Sequence, residues 1–230
     1  MSIFTIADTH LSFSCDKPMD IFGGWSDYVQ RLENNWKALV SEDDTVVIPG
    51  DISWAMSLEG AEEDFRFIHN LPGKKIILKG NHDYWWNTKK KMDAFLTEKG
   101  FDTISILHNN AFKVGNYVLC GTRGWFYDAE KSADMKVLLR EASRLERSIE
   151  EGEKLGGEII VFLHYPPVMQ MGVCEEIFSV LQKHNVRRCY YGHLHGESTR
   201  RSVTETVGGV KLSLISADFL SFSPQLVEKF

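Results

Sequence analysis

Apolar residues along this chain alternate between short unbroken runs and stripes of helical period. Residues 2–7 form an apolar run that predicts a buried strand. From Trp25 onward, Tyr28, Leu32, Trp36 and Leu39 recur at steps of three and four, which predicts an amphipathic helix ended by the polar run Ser41-Glu42-Asp43-Asp44. Strands are expected at 45–48 and 75–78. Between them Leu58, Ala61, Phe65 and Ile68 mark a second helix, stopped at Leu71-Pro72-Gly73. A third helix over 88–99 runs into Gly100, a natural helix-ending glycine. The middle of the chain changes character, with strand patterns at 103–107, 111–114 and 117–120 and a hairpin turn at Gly115-Asn116. Met135, Leu138, Ala142, Leu145 and Ile149 then stripe a long helix, whose other side, with Glu141, Arg144, Glu146 and Arg147, is expected in solvent. A strand at 159–163, a helix at 175–183, a strand at 188–191 and a hairpin of 203–207 with 210–215 about Gly208-Gly209 complete the pattern. The front half reads βαβαβα, while the rest mixes strands, hairpins and helices. The fold class is therefore α/β (α+β), and two packed mixed sheets with helices outside suit this order better than one doubly wound sheet.

Composition narrows the class. The 230 residues are 43% hydrophobic and 25% charged, which excludes a disordered tail, a collagen and a coiled coil. One domain over 1–230 is expected, large enough to bury a full core without disulfides. The net charge of −6 provides no global attraction for nucleic acid or anionic lipid, so a nucleic-acid partner is disfavoured. Charge is silent on the oligomeric state. Cys15, Cys120, Cys174 and Cys189 form no C-x-x-C pair, and reduced thiols are expected. Residues 1–10 lack a signal-peptide pattern, and no stretch reaches the roughly 18 apolar residues of a membrane span. The expected location is cytoplasmic.

Chemistry concentrates where the strand runs stop: Asp8-Thr9-His10, Gly50-Asp51, Gly80-Asn81-His82-Asp83, His164 and Gly192-His193-Leu194-His195. Strand ends on one side of an α/β sheet are where sites assemble. Asp8 with His10, and His193 with His195, are two residues apart, so in extended chain each pair faces one way. The donors are imidazole, carboxylate and amide, with no thiolate. Such a set suits Mn, Fe, Co, Ni or Zn at five- or six-coordination, and it is large enough for two divalent metal ions sharing a carboxylate.

In this order, DxH, GD, GNHD, a lone strand-end histidine and GHxH resemble the calcineurin-like metallophosphoesterase superfamily, over Asp8 to His195. The resemblance implies a four-layer sandwich of two β-sheets flanked by helices, and a dinuclear centre, with manganese the foremost ion. It implies that Asp8, His10 and His195 hold one metal, that Asn81, His164 and His193 hold the other, and that Asp51 bridges. It implies that His82, with Asn81, touches substrate phosphate and protonates the leaving oxygen, and that Asp83 orients His82. The implied activity is hydrolysis of a phosphate monoester or diester, the partner being a small phosphorylated substrate. The run Asp51-Ile52-Ser53-Trp54 lacks the acidic residue and arginine of the serine/threonine phosphatases, and Trp54 stands where purple acid phosphatases carry a tyrosine ligand.

Other readings compete. A scaffold of the same fold with metals but little turnover has no need of a proton donor such as His82, and a nuclease is disfavoured by the acidic balance. Arg123, between glycines after a strand, is a candidate to grip substrate phosphate, against a salt bridge or a cation–π contact with Trp125. Trp54, Tyr84, Trp85, Trp86, Trp125 and Phe126 either wall the site or pack in the core. His69, His108 and His184 match no motif and read as surface or loop residues.

Overall fold

The computed structural model describes residues 1–125 and 132–230. In chain order the elements are β1 (Ser2–Thr5), α1 (Tyr28–Leu39), β2 (Thr45–Pro49), α2 (Glu62–Asn70), β3 (Lys74–Leu78), α3 (Lys89–Lys99), β4 (Ile104–Ile106), β5 (Phe112–Val114), β6 (Tyr117–Thr122), α4 (Ser132–Glu153), β7 (Glu158–Leu163), β8 (Val168–Met169), β9 (Gly172–Val173), α5 (Glu175–Lys183), β10 (Arg188–Tyr191), β11 (Thr206–Val207), β12 (Val210–Leu214) and β13 (Gln225–Lys229), with a 3₁₀ turn at Gly196–Arg201. One sheet runs β13-β1-β2-β3-β4 and the other β11-β12-β10-β7-β6-β5, while β8 and β9 pair as a small ribbon. In the first sheet β1 to β4 are parallel and β13 closes one edge antiparallel. In the second, β6, β7, β10 and β12 are parallel and β5 and β11 are antiparallel edges.

Strand periodicity builds the layers. In β2, Val46 and Ile48 face one way and Val47 the other, because successive side chains leave opposite faces. Val46 and Ile48 join Leu32 and Trp36 of α1, Phe65 and Ile68 of α2 and Phe95 of α3 in one buried cluster. Val47 joins Ile3, Ile76, Leu119, Ile160 and Phe162 in a second cluster between the two sheets. The outer face of the second sheet, with Val118, Val161, Cys189 and Leu212, packs on Leu138, Leu145 and Ile149 of α4 and Ile177 and Leu181 of α5. The result is helix, sheet, sheet, helix: a four-layer sandwich.

Two parts of the sequence reading are corrected here. The 203–207 strand shrinks to Thr206–Val207. Glu141 is buried rather than solvated, at 1% exposure, where it accepts a hydrogen bond from the Thr122 hydroxyl (2.7 Å) and pairs with Arg144 (2.6 Å). A buried carboxylate is tolerated only with such partners. His69 and His184 lie away from the strand-end histidines, His184 against Glu153 at 2.8 Å. The four cysteines are free. Among the described residues no helix is long and apolar enough to cross a membrane.

Candidate metal centre

Parallel strands in both sheets deliver their carboxyl ends to the same place. The first sheet brings Asp8 and His10 after β1, Asp51 after β2 and Asn81, His82 and Asp83 after β3. The second brings His164 after β7 and His193 and His195 after β10. The sheets meet there directly: the Asp8 carboxylate accepts the His193 N–H (2.9 Å to Oδ2), and His164 Nδ1 lies 3.2 Å from the Pro49 carbonyl.

Backbone strain marks this meeting point. Asp8, His10, Asp51 and His193 all have positive φ, at 62°, 45°, 49° and 71°. Left-handed backbone at a non-glycine residue costs about 1–3 kcal/mol and persists where the surroundings over-determine it. Two glycines permit the close approach. A Cβ on Gly80 would strike the Asp51 carboxylate, and one on Gly192 would strike that of Asp8.

The donors fall into two groups. Asp8, His10 and His195 form one; Asp51, His164 and His193 form the other, each with ligand atoms within 4.8 Å of one another. In the first group His10 Nε2 faces His195 Nε2 at 3.3 Å, and His195 Nε2 lies 3.5 Å from Asp8 Oδ1. His10 Nδ1 is buried without a partner, its ring stacked on Trp54 with centroids 4.8 Å apart. In the second group His164 Nε2 lies 3.4 Å from Asp51 Oδ2, and Asn81 Oδ1 meets both His164 Nε2 (2.6 Å) and His193 Nδ1 (2.9 Å). Asp51 also faces the first group, with Oδ2 3.9 Å from His10 Nε2.

The electrostatics show what this assembly suits. Burial and then the neighbouring His195 hold His10 well below its ordinary pKa, and burial and then His164 push His193 down to about 3. Burial also lowers His164, against the pull of Asp8. Burial and then the Asp8 charge push Asp51 up to about 8. Burial opposes charge on His195, but Asp8 and then Asp218 outweigh it and carry this imidazole up to about 10. Neutral imidazole nitrogens and buried carboxylates aimed at common points are costly to bury alone and fit divalent cations, which accept both donor types. The residues therefore fit a two-cation centre.

His82 stands beside both groups. Its backbone N–H donates to Asp51 Oδ1 (2.7 Å), and its ring lies 4.5 Å from that of Trp54 and 5.9 Å from that of His10. Asp83 departs from the expectation that it orients His82. Its carboxylate accepts from the backbone N–H groups of Asp51 (2.9 Å), Ile52 (2.8 Å), Ser53 (3.3 Å) and Gly80 (2.7 Å), and from Trp85 Nε1 (3.0 Å). Five donors fill it, so Asp83 ties the β2 and β3 loops together. Arg123 also departs from the phosphate-gripping expectation: its guanidinium lies 3.6 Å from Glu141 and 4.8 Å over the Trp125 ring. The cause is the buried Glu141 charge, which helical periodicity alone assigns to solvent.

The aromatic residues divide. Trp85 is core, at 2% exposure, and Trp86 packs on it. Tyr84 is exposed, with its hydroxyl 3.5 Å from His82 Nδ1. Phe126 lies outside the described residues. The sequence reading missed two neighbours of the centre. The Tyr165 ring lies 4.2 Å from that of His193, and Asp218 Oδ1 lies 3.0 Å from His195 Nδ1. The available signal for Asp218 was its place: an acidic residue just beyond the apolar run of β12, like the other site residues beyond theirs.

Comparison with known proteins agrees with this geometry. The chain is 29% identical over 175 residues to a protein of Fibrobacter succinogenes described as a probable cyclic nucleotide phosphodiesterase; the match covers 71% of this chain and 62% of that protein's length. The fold is shared with the TT1561 protein of Thermus thermophilus (TM-score 0.62, 11% identity, 98% of this chain and 97% of that one). It is also shared with the phosphopantetheinyl hydrolase of Mycobacterium tuberculosis (TM-score 0.53, 15% identity, 98% and 95%). Residues 1–197, which include every motif from Asp8 to His195, match the model of the calcineurin-like phosphoesterases. The chain belongs to the calcineurin-like phosphoesterase family.

Proposed function

We propose that this protein hydrolyses a phosphodiester with two divalent cations, manganese foremost, held by Asp8, His10 and His195 on one side and Asn81, His164 and His193 on the other, with Asp51 between. The carrying observation is the pair of donor groups with Asp51 Oδ2 directed at both, 3.4 Å from His164 Nε2 and 3.9 Å from His10 Nε2. Cations bound there supply Lewis acidity, lowering the pKa of water and offsetting charge on the phosphoryl group.

The chain's own residues do the rest. Asp51 accepts the His82 N–H and so fixes the loop that carries the His82 ring beside both groups. His82, protonated, donates to the leaving oxygen as the ester bond breaks. Burial and then His164 hold this imidazole below its ordinary pKa, so the protonated form is a stronger acid but the minor form at neutral pH. Asp83, pinned by five donors, keeps the loops of Asp51 and His82 in register. Trp54, stacked on His10, shields that side from water.

The surroundings of the donor groups favour a diester: Trp54, Tyr84 and Tyr165 are aromatic, and Arg123 lies 3.6 Å from Glu141. The Fibrobacter relative's name points the same way, toward a cyclic nucleotide or similar small diester.

The test is hydrolysis of a chromogenic phosphate diester and monoester, and of a cyclic nucleotide, with Mn²⁺ and with chelator. Manganese-dependent turnover with the diester preferred is expected. Monoester preference would overturn the diester assignment, and no turnover in protein holding two metals would support the scaffold reading.

A further inference from the structure

The family match stops at residue 197, yet the first donor group is completed from beyond it. β12 lies beside β10 in parallel register, so its carboxyl end points where His193 and His195 emerge. The chain past β12 then crosses between the sheets. Ile215 donates its N–H to the Tyr191 carbonyl (2.8 Å) in one sheet and accepts from Ala7 (2.8 Å) in the other, and Ala217 donates back to Ala7 (2.9 Å). The next residue is Asp218.

Asp218 is held on both sides. Beyond it the chain turns, with the Phe222 N–H on the Ala217 carbonyl (2.7 Å) and the Ser221 N–H on the Asp218 carbonyl (3.1 Å). Phe222 is fully buried, edge-on to Trp25 with centroids 5.0 Å apart, and Trp25 in turn meets His195 at 5.7 Å. The Asn35 side chain donates to the Phe222 carbonyl (3.2 Å). The Asp218 carboxylate is therefore presented by a rigid turn. Its Oδ2 accepts the Gly196 N–H (2.8 Å) and its Oδ1 faces His195 Nδ1 (3.0 Å). In the neutral imidazole, the form that can bind a cation, a carboxylate at Nδ1 places the ring proton there and leaves Nε2 with its lone pair. Nε2 is the atom directed at His10 Nε2 and Asp8. In the second group His164 Nδ1 instead meets a backbone carbonyl, that of Pro49.

We propose that Asp218 is a positioning residue for the first cation site: it fixes the tautomer and ring orientation of His195 and makes its Nε2 a stronger ligand. Partners of this kind typically contribute 10- to 100-fold in metal affinity. The proposal rests on the two-cation reading of the site.

The experiment titrates Mn²⁺ into metal-free protein by calorimetry, in wild type, Asp218→Asn, His195→Ala and the double variant. Asparagine has one oxygen for two donors, Gly196 N–H and His195 Nδ1–H. Asp218→Asn should bind one ion as wild type does and the other about 10- to 100-fold more weakly. In the His195→Ala background the same change should add less than about threefold, because the coupling runs through that imidazole. A merely structural role would weaken both ions, or weaken them equally in both backgrounds, and that result overturns the proposal. So does Asp218→Asn binding two ions with wild-type affinity. Wild type is read separately: fewer than two ions there removes the two-cation reading itself. Should Asp218→Asn not fold, nitrogen-15 NMR of the Zn²⁺-loaded wild type decides. A proton on His195 Nδ1 is expected, and its absence contradicts the assignment.

Discussion

The two donor groups use the same chemistry but are held by different means. In the Asp51, His164 and His193 group His164 is fully buried, and Asn81 and the Pro49 carbonyl hold its ring from either side. In the Asp8, His10 and His195 group Asp8 and His10 are equally buried, and the partly exposed His195 has the Asp218 carboxylate behind it. Each group draws on both sheets, since Asp8, His10 and Asp51 follow strands of the first and His164, His193 and His195 follow strands of the second. The centre therefore exists only when the sheets are packed. The interlayer cluster around Val47, Ile76, Leu119 and Phe162 is as much a part of the site as the ligands. The groups differ in what orients their histidines: a backbone carbonyl and an amide hold His164, whereas a carboxylate faces His195.

Asp51 is where the groups join, so its loss should be the largest single effect. Asp51→Asn is expected to leave less than one bound metal per chain and to lower turnover by about 10³-fold or more, measured by elemental analysis beside the diester assay. A variant that keeps two metals and most activity would separate the groups and remove the shared carboxylate. His82→Ala should act differently. Two metals stay bound, and turnover falls by about 10²- to 10⁴-fold. The loss should shrink for esters with acidic leaving groups, which need no proton; an equal loss across leaving groups would deny His82 the role of acid.

Asn81→Ala touches only the second group. It should weaken one ion by about 10- to 100-fold and leave the other as it was. Together with Asp218→Asn it would assign the two binding events to the two groups.

Proton release follows from the same contrast. Metal-free protein keeps a proton on His195 up to about pH 10 and on Asp51 up to about pH 8. Both must leave when cations bind, so affinity should rise with pH between 6 and 8. Calorimetry in buffers of different ionisation enthalpy should show about two protons released per chain at pH 7. No release would mean that His195 and Asp51 are both already deprotonated there.

Much of this contrast is legible in the sequence, and the reasons are local. DxH, GD, GNHD and GHxH are short motifs whose ligands sit within a few residues of one another, and strand-end placement needs only the apolar run before them. The helical stripes over Tyr28–Leu39 and Glu175–Lys183 are equally clear, because packing follows their period. Asp218 is legible only as an acidic residue beyond an apolar run, because its meaning depends on β12 lying parallel beside β10, a long-range fact. β13 hides for another reason: it is an edge strand in which Val227 is buried while Leu226 is 48% exposed, so the run carries almost no pattern. Glu141 sits on a helix side rich in charge, and only Thr122 and Arg123, brought in by β6, show that it is buried. With Glu141 placed in solvent, Arg123 looks free for phosphate; with Glu141 buried beside it, Arg123 has a partner.

The smallest expected effect tests that correction. Arg123→Gln should cost about 1 kcal/mol of stability while leaving the Michaelis constant within about twofold. An unchanged melting temperature with a raised Michaelis constant would return Arg123 to the substrate.

The central claim is that both sheets together build one two-cation centre that hydrolyses phosphate esters. The most direct measurement is electron paramagnetic resonance of protein titrated with Mn²⁺, run beside diester hydrolysis on the same samples. Two ions per chain with a spin-coupled signal, and turnover that grows with the second ion, are the predicted result. A single uncoupled Mn²⁺ at full activity would contradict it.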